Sequence, residues 1–205
     1  MWRRTSLVLA LGLLAFSPLA ASAHSDAPAV TVTRAPPRLG GTFSLIDQDG
    51  HRVSDTDFVG RLRLVYFGYS HCADACPLDL QNLAGALDLL GERRREVAVT
   101  FITVDPARDT PRRLQEFLPL FDRDFIGLTG KATEIPGLAA AYGVDYGQVD
   151  VAGPDSYDFS HLAIAFLMGR NGEFLDILRP GDPPPSIASV LQRHLGGTVA
   201  ASRTP

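Results

Sequence analysis

The sequence predicts an α/β fold: a central mixed β-sheet flanked by helices, with an N-terminal β-hairpin extension. Three observations carry that prediction. Leu64-Val65-Tyr66-Phe67 is a short apolar and aromatic run with the character of a buried strand, and Val97 to Val104 is a second, rich in β-branched residues. Between them, Pro77 followed by Leu80, Leu83, Ala84, Leu87 and Leu90 has the spacing of an amphipathic helix, which Gly91 stops. Strand, helix and strand in that order make the βαβ unit of a parallel sheet, whose carboxyl edge is where a site belongs.

In chain order, Met1 to Ala23 carries Arg3 and Arg4, an apolar stretch from Leu7 to Phe16, and Ala21-Ser22-Ala23, the pattern of a cleaved secretory signal over residues 1–23. The alternative is an uncleaved segment anchoring the chain to the membrane, but the apolar core is short against the roughly 20 residues a span needs. No cysteine follows it, so a lipid-modified N-terminus is not expected. Residues 24–38, with Pro28, Pro36 and Pro37, lack an apolar period and read as a flexible tether. Cleavage after Ala23 would make His24 the first residue, able to chelate Cu(II) with its α-amino group, although a solvated His is the plainer reading. Residues 39–195 form the folded domain and 196–205 a frayed tail.

Thr42 to Ile46 alternates as a strand, Asp47-Gln48-Asp49-Gly50 is turn chemistry, and His51 to Val53 returns, making the opening hairpin with His51 exposed. After Val104, Asp109 or Thr110 caps a helix with Pro111 in its first turn, continuing through Leu114, Phe117 and Leu118. Phe125 to Leu128 is a short strand. Thr129 or Thr133 opens a helix presenting Ile135, Leu138, Ala139 and Tyr142, and Gly143 ends it. Val144 to Val149 and Gly153-Pro154-Asp155-Ser156 read as an extended excursion and a turn rather than a packed element. Tyr157 to His161 runs into Leu162 to Met168, an apolar stretch suited to a central strand with His161 at its entrance. Arg170-Asn171-Gly172-Glu173 turns the chain, Phe174 to Leu178 pairs back antiparallel, and Ser186 to Leu195 is a final helix, whose end suits His194.

At 205 residues, 45% hydrophobic and 20% charged, with no long apolar run beyond the N-terminus, the chain fits one soluble domain. Without Arg3 and Arg4, 17 bases face 23 acids, a net charge near minus six that excludes nucleic acid as a partner and leaves the membrane to be met only through a client. There is no internal repeat, phosphate-cradling glycine loop or serine-based nucleophile. Two cysteines are too few to staple a chain of this length, so the pair is read as functional.

Cys72 and Cys76 sit at the strand-to-helix junction. Pro77 fits the first helical position, which puts Cys76 near the N-cap and Cys72 in the preceding loop, where unpaired N–H groups and the helix dipole favour a thiolate. Two cysteines four apart can close a disulfide or point two sulfurs at one metal ion. Asp105 lies at the same sheet edge, as a supporting group or part of a docking surface. His161, from its position alone, is a hydrogen-bonded structural residue. The order of elements is that of a thioredoxin-like fold, but the spacing is Cys-x-x-x-Cys rather than the Cys-x-x-Cys of disulfide exchangers.

Tyr66-Phe67-Gly68-Tyr69-Ser70-His71-Cys72 through Cys76-Pro77, Val104-Asp105-Pro106 with Arg108-Asp109-Thr110-Pro111, Phe125 to Gly130, and the His161 strand with its Asn171-Gly172 turn together resemble the Sco/SenC family. These are periplasmic or mitochondrial copper proteins that serve assembly of cytochrome c oxidase, and the matching segments span about Gly40 to Leu195. The resemblance implies that Cys72, Cys76 and His161 hold one copper ion, Cu(I) or Cu(II). Asp105 or Asp158 would then orient His161 through its other ring nitrogen. Ala73 stands where the family usually has a proline, and His71 is expected to point away from the site. Two thiolates and one imidazole suit copper, whereas a structural zinc would want a fourth protein ligand.

The implied function is that of a periplasmic metallochaperone rather than an enzyme, delivering copper to the respiratory oxidase subunit that carries the dinuclear copper site. Another periplasmic copper carrier or a thiol reductant would be a further partner. The alternative is a thiol-disulfide oxidoreductase that keeps oxidase or other periplasmic cysteines reduced. A peroxidase is not supported, since the Thr-x-x-Cys pattern is absent.

Overall fold

In the computed structural model, which describes residues 39–73, 75–151, 157–161 and 163–196, the chain opens as the turn chemistry requires. Strands β1 (Ser44–Asp47) and β2 (Arg52–Ser54) pair antiparallel. In the turn, Asp47 accepts the N–H groups of Asp49 and His51 at 2.9 and 2.8 Å, and Gly50 takes the left-handed conformation at φ +84°. The signal and tether segments with His24, and the tail beyond Gly196, lie outside the described residues. No helix among the described residues is long and apolar enough to cross a membrane.

The βαβ unit follows: β3 (Leu62–Gly68), α1 (Ala75–Leu90) and β4 (Val97–Thr103). The two strands are buried throughout and pair parallel in register from Leu62 opposite Val97 to Gly68 opposite Thr103. Next come α2 (Pro111–Phe117), β5 (Ile126–Thr129) and α3 (Ile135–Ala141). The last elements are β6 (Tyr146–Asp150), β7 (Tyr157–His161), β8 (Ala165–Met168), β9 (Phe174–Leu178) and α4 (Pro184–Leu195). The main sheet runs β2-β1-β5-β4-β3-β8-β9, parallel across β3, β4 and β5 and antiparallel elsewhere, so the opening hairpin extends the sheet beyond β5.

Alternation along the strands divides the core in two. Leu64, Tyr66, Val99, Phe101 and Leu167 pack with α1, α2 and α4, through Leu80, Leu83, Leu114, Phe117, Ile187 and Leu191. On the other face Val65, Phe67, Ile102, Leu128 and Phe166 meet Ile135 and Leu138 from α3 and Tyr142 just after it, together with Phe43 and Leu45. The mixed sheet with helices on both faces matches the expected architecture.

Two local expectations change. Helix α1 begins at Ala75, so Cys76 lies inside its first turn and Pro77 is the third helical residue rather than the first. Any position of the first turn tolerates proline, because none of those N–H groups has an intrahelical partner, so the residue marks the turn but not its first position. The stretch from Tyr157 to Met168 is not one strand either. Its first part, β7, pairs antiparallel with β6 in a separate two-stranded ribbon, while β8 joins the main sheet between β3 and β9. The excursion expected at residues 144–149 therefore holds most of β6, one strand of that ribbon.

At Gly127 in β5, α2 and the residue that follows it pack close on the sheet: a Cβ there would fall 2.5 Å from Leu118 Cδ1 and 3.0 Å from Leu114 Cβ. Gly127→Ala is expected to cost about 1–3 kcal/mol through overpacking. A urea titration should show a lower midpoint with an unchanged slope; an unchanged midpoint would contradict this packing.

Candidate functional site

Parallel pairing carries the ends of β3 and β4 to one edge, where the Val104 N–H donates to the Gly68 carbonyl at 2.8 Å. The chain then leaves β3 through Tyr69, Ser70 and His71 to the cysteines. A turn bond from the Cys72 N–H to the Tyr69 carbonyl (3.2 Å) folds the loop back on itself. The Cys76 N–H, in the first turn of α1, donates to Cys72 Sγ at 3.4 Å. The helix N-terminus thus aims a backbone donor at the sulfur four residues earlier, and the two sulfur-bearing side chains come together as their spacing implied.

Cys72 is partly exposed, whereas Cys76 is fully buried. The hydrogen bond between the two thiols, and then burial, push the Cys76 thiol well above its ordinary range. The thiolate expected at this junction is therefore opposed at Cys76 in the metal-free protein. Room for that sulfur depends on Gly68, where a Cβ would approach Cys76 Sγ to 3.2 Å and Phe101 Cε2 to 2.8 Å. Beneath it, the Tyr66 hydroxyl donates to Asp79 Oδ2 at 3.1 Å, and Asp79 Oδ1 accepts the Gly181 N–H at 2.8 Å, fastening α1 to the approach to α4.

The loop is pinned by a carboxyl group read from the sequence only as part of a helix start. Asp109, with no exposed surface, accepts the Ser70 N–H (3.0 Å), the Ser70 hydroxyl (2.6 Å) and the Thr103 hydroxyl (2.7 Å). Arg113 from α2 adds bonds to Ser70 Oγ at 2.8 Å and to its carbonyl at 3.3 Å. Thr110 is the cap, its side chain accepting the Arg113 N–H at 3.3 Å. His71 Nδ1 lies 3.2 Å from Ser70 Oγ and 3.8 Å from Asp109 Oδ1, so its ring is engaged with this network.

Asp105 is 2% exposed and pairs with Arg108, while its Oδ1 accepts the Tyr157 hydroxyl at 3.1 Å. Tyr157 is the first residue of β7, and His161 the last, its backbone opposite Tyr146. Asp158 accepts the Tyr69 hydroxyl and the Phe159 N–H, and Phe159 packs edge-on against Tyr69 with centroids 5.6 Å apart. The ribbon ending at His161 is thus fastened to the residue three places before Cys72. Of the residues singled out in the sequence, the structure brings Cys72 and Cys76 together, and it engages Asp105 and Asp158 in holding the ribbon. Asp47, Asp49 and His51 also have ligand-type atoms within 4.8 Å of one another, but Asp47 serves the hairpin turn there.

Comparisons with known proteins agree in family. The SCO1/SenC profile matches residues 31–196. Protein sco1 of Schizosaccharomyces pombe is 38% identical over 157 residues, covering 75% of this chain and 59% of its own length, so the chain spans under two thirds of that relative. Protein SenC of Rhodobacter capsulatus is 38% identical over 168 residues, covering 82% of this chain and 76% of the relative. The solved structure of Bradyrhizobium japonicum ScoI with copper bound superposes with a TM-score of 0.72 at 35% identity, covering 76% of this chain and 99% of that one.

Two outcomes follow from the site. Asp109→Ala leaves three donors without their acceptor, and is expected to lower stability by about 3 kcal/mol and to speed amide exchange in residues 69–72; exchange unchanged there would show that the carboxyl does not pin the loop. Because the folded Cys76 pKa lies above its ordinary 9.0, the folded state holds a proton that the unfolded chain releases, so this thiol's contribution to stability is constant below about pH 9 and is lost progressively above it. Urea midpoints of the reduced, metal-free protein should show that fall, delayed in Cys76→Ala; the same onset in both proteins would contradict the assignment.

Proposed function

The chain belongs to the SCO1/SenC family, and from that premise we propose that it is a periplasmic copper carrier that helps load the dinuclear copper site of a respiratory cytochrome c oxidase. In this reading Cys72 and Cys76 supply two thiolates and His161 an imidazole to one copper ion, the cargo. The carrying observation is the fastening of β7, the strand that ends at His161, through Asp158 to Tyr69 at the base of the cysteine loop. The donor set supports it chemically: soft sulfur suits Cu(I), an added imidazole keeps Cu(II) within reach, and three ligands leave a position open for transfer. Residues 1–23 then serve as the cleaved export signal, 24–38 as the tether, 39–195 as the copper-binding domain and 196–205 as the tail.

Each side chain has a separable task. Cys72, partly exposed, is the sulfur that a donor or client meets first, and Cys76 closes the site from the buried side. Loading requires both thiols to give up their protons, so copper affinity falls as the solution is acidified. Gly68 keeps the space beside Cys76 clear, and the Asp109 network holds the loop that presents Cys72.

The exposure difference also favours a second reading, thiol-disulfide exchange, in which Cys72 attacks a client disulfide and Cys76 resolves the mixed disulfide. His161 separates the two. Reduced wild-type protein is expected to bind one copper, with loss of binding in Cys72→Ser and Cys76→Ser and a large loss of affinity in His161→Ala, followed by titration with Cu(I) and Cu(II) and by the thiolate-to-copper absorption of the Cu(II) form. His161→Ala should leave disulfide exchange intact. A wild-type protein that takes up no copper, or a His161→Ala variant of full affinity, would defeat the copper reading.

A further inference from the structure

We propose that Tyr157 is a positioning residue for copper binding, acting with Arg108 and Asp105 as a latch that sets where β7 delivers His161; this rests on the copper reading above. β6 and β7 form a two-stranded ribbon outside the main sheet. A ribbon of two strands has little stability of its own, so its placement depends on what grips it. The grip at the start of β7 is specific. The Tyr157 hydroxyl donates to Asp105 Oδ1 at 3.1 Å, Arg108 Nη1 donates to the Tyr157 carbonyl at 3.1 Å, and the Arg108 guanidinium lies over the Tyr157 ring, 3.8 Å from its centroid.

Arg108 is itself held by Asp105, which is 2% exposed and whose own N–H donates to the Thr103 hydroxyl at 2.9 Å. Thr103 ends β4 and also donates to Asp109, the group that pins the cysteine loop. One polar chain therefore runs from the loop before Cys72, through Asp109, Thr103, Asp105 and Tyr157, to the strand that ends four residues later at His161. Asp105 acts on the histidine strand through a phenol and a guanidinium.

Such a latch contributes most to a ligand that must arrive from a distant part of the chain. Cys72 and Cys76 share one loop and helix turn, so their mutual geometry does not depend on it. A displaced β7 would affect only the contribution of His161.

The test is a double-mutant cycle on the full reduced chain with Cu(II) as the probe. Tyr157→Phe keeps the ring under Arg108 but removes its bond to Asp105, and is expected to weaken Cu(II) binding about tenfold, with a shifted thiolate-to-copper absorption band. In a His161→Ala background the same substitution should change nothing. Equal weakening in both backgrounds, or no weakening beside His161, would overturn the proposal. Amide exchange of residues 157–161 in the metal-free protein supplies an independent readout: Tyr157→Phe should accelerate it about tenfold while β3 and β4 stay protected. Were His161→Ala to bind copper as well as wild type, the copper reading would fall. Exchange would then decide the latch alone, acceleration in β7 supporting it and unchanged rates ending it.

Discussion

The parallel pairing of β3 with β4 is the constraint on which the other features depend. Its register, Leu62 opposite Val97 through Gly68 opposite Thr103, brings both strands to the same edge within one residue of each other. Parallel neighbours need a crossover, and α1 supplies it while burying Leu80, Leu83 and Leu87 on one face. The loop that starts the crossover carries Cys72, the first turn of α1 carries Cys76, and the loop that leaves β4 carries Asp105, Arg108 and Asp109. Their meeting is a consequence of topology, since two strands sharing direction and register must end together.

That edge is unusually polar for a place so little exposed. Asp105 and Asp109, at 2% and 0% exposure, would be costly to bury alone, and each is surrounded by donors. Asp109 gathers Ser70 and Thr103, while Asp105 gathers Arg108 and Tyr157. Both carboxyl groups thus convert the penalty of burial into positional control: moving any donor would leave a buried acceptor short. The apolar core beneath holds the strands, and this polar layer holds the loops. Cys76 sits between the two, packed against Gly68 and Tyr66 with its thiol turned toward Cys72, where proton loss is opposed until something replaces the proton.

The β6–β7 ribbon is attached at two points by different chemistry. Tyr157 engages Asp105 and Arg108, while Asp158 engages Tyr69 and Phe159 packs on the same ring. Tyr157 and Phe159, two residues apart, have ring centroids 5.7 Å apart, and Asp158 between them reaches Tyr69 as Phe159 does, so the two attachments adjoin. Apolar packing adds to these grips, since Tyr146 of β6 and Phe159 of β7 pack against the core on the α3 side of the sheet. Val149 and Val151, toward the other end of β6 and just beyond it, stay exposed.

The sequence by itself determined the elements and the cysteine pair. Apolar runs marked β3 and β4, helical spacing marked α1 and α4, the Asp47 to Gly50 turn marked the hairpin, and Cys-x-x-x-Cys placed two sulfurs four residues apart at one strand-to-helix junction, because each signal is complete within a few residues. Only the tertiary structure decided that Tyr157 to Met168 divides between a ribbon and the main sheet, since the same alternating pattern satisfies either pairing partner. Only it, too, revealed Asp109 as the pin of the cysteine loop and Tyr157 as the companion of Asp105. Ser70 and Asp109 are 39 residues apart, Asp105 and Tyr157 52, and Tyr69 and Asp158 89, separations across which a local reading carries no information. A buried polar group is defined by the partners that folding brings to it, and those are specified by topology rather than by neighbouring residues.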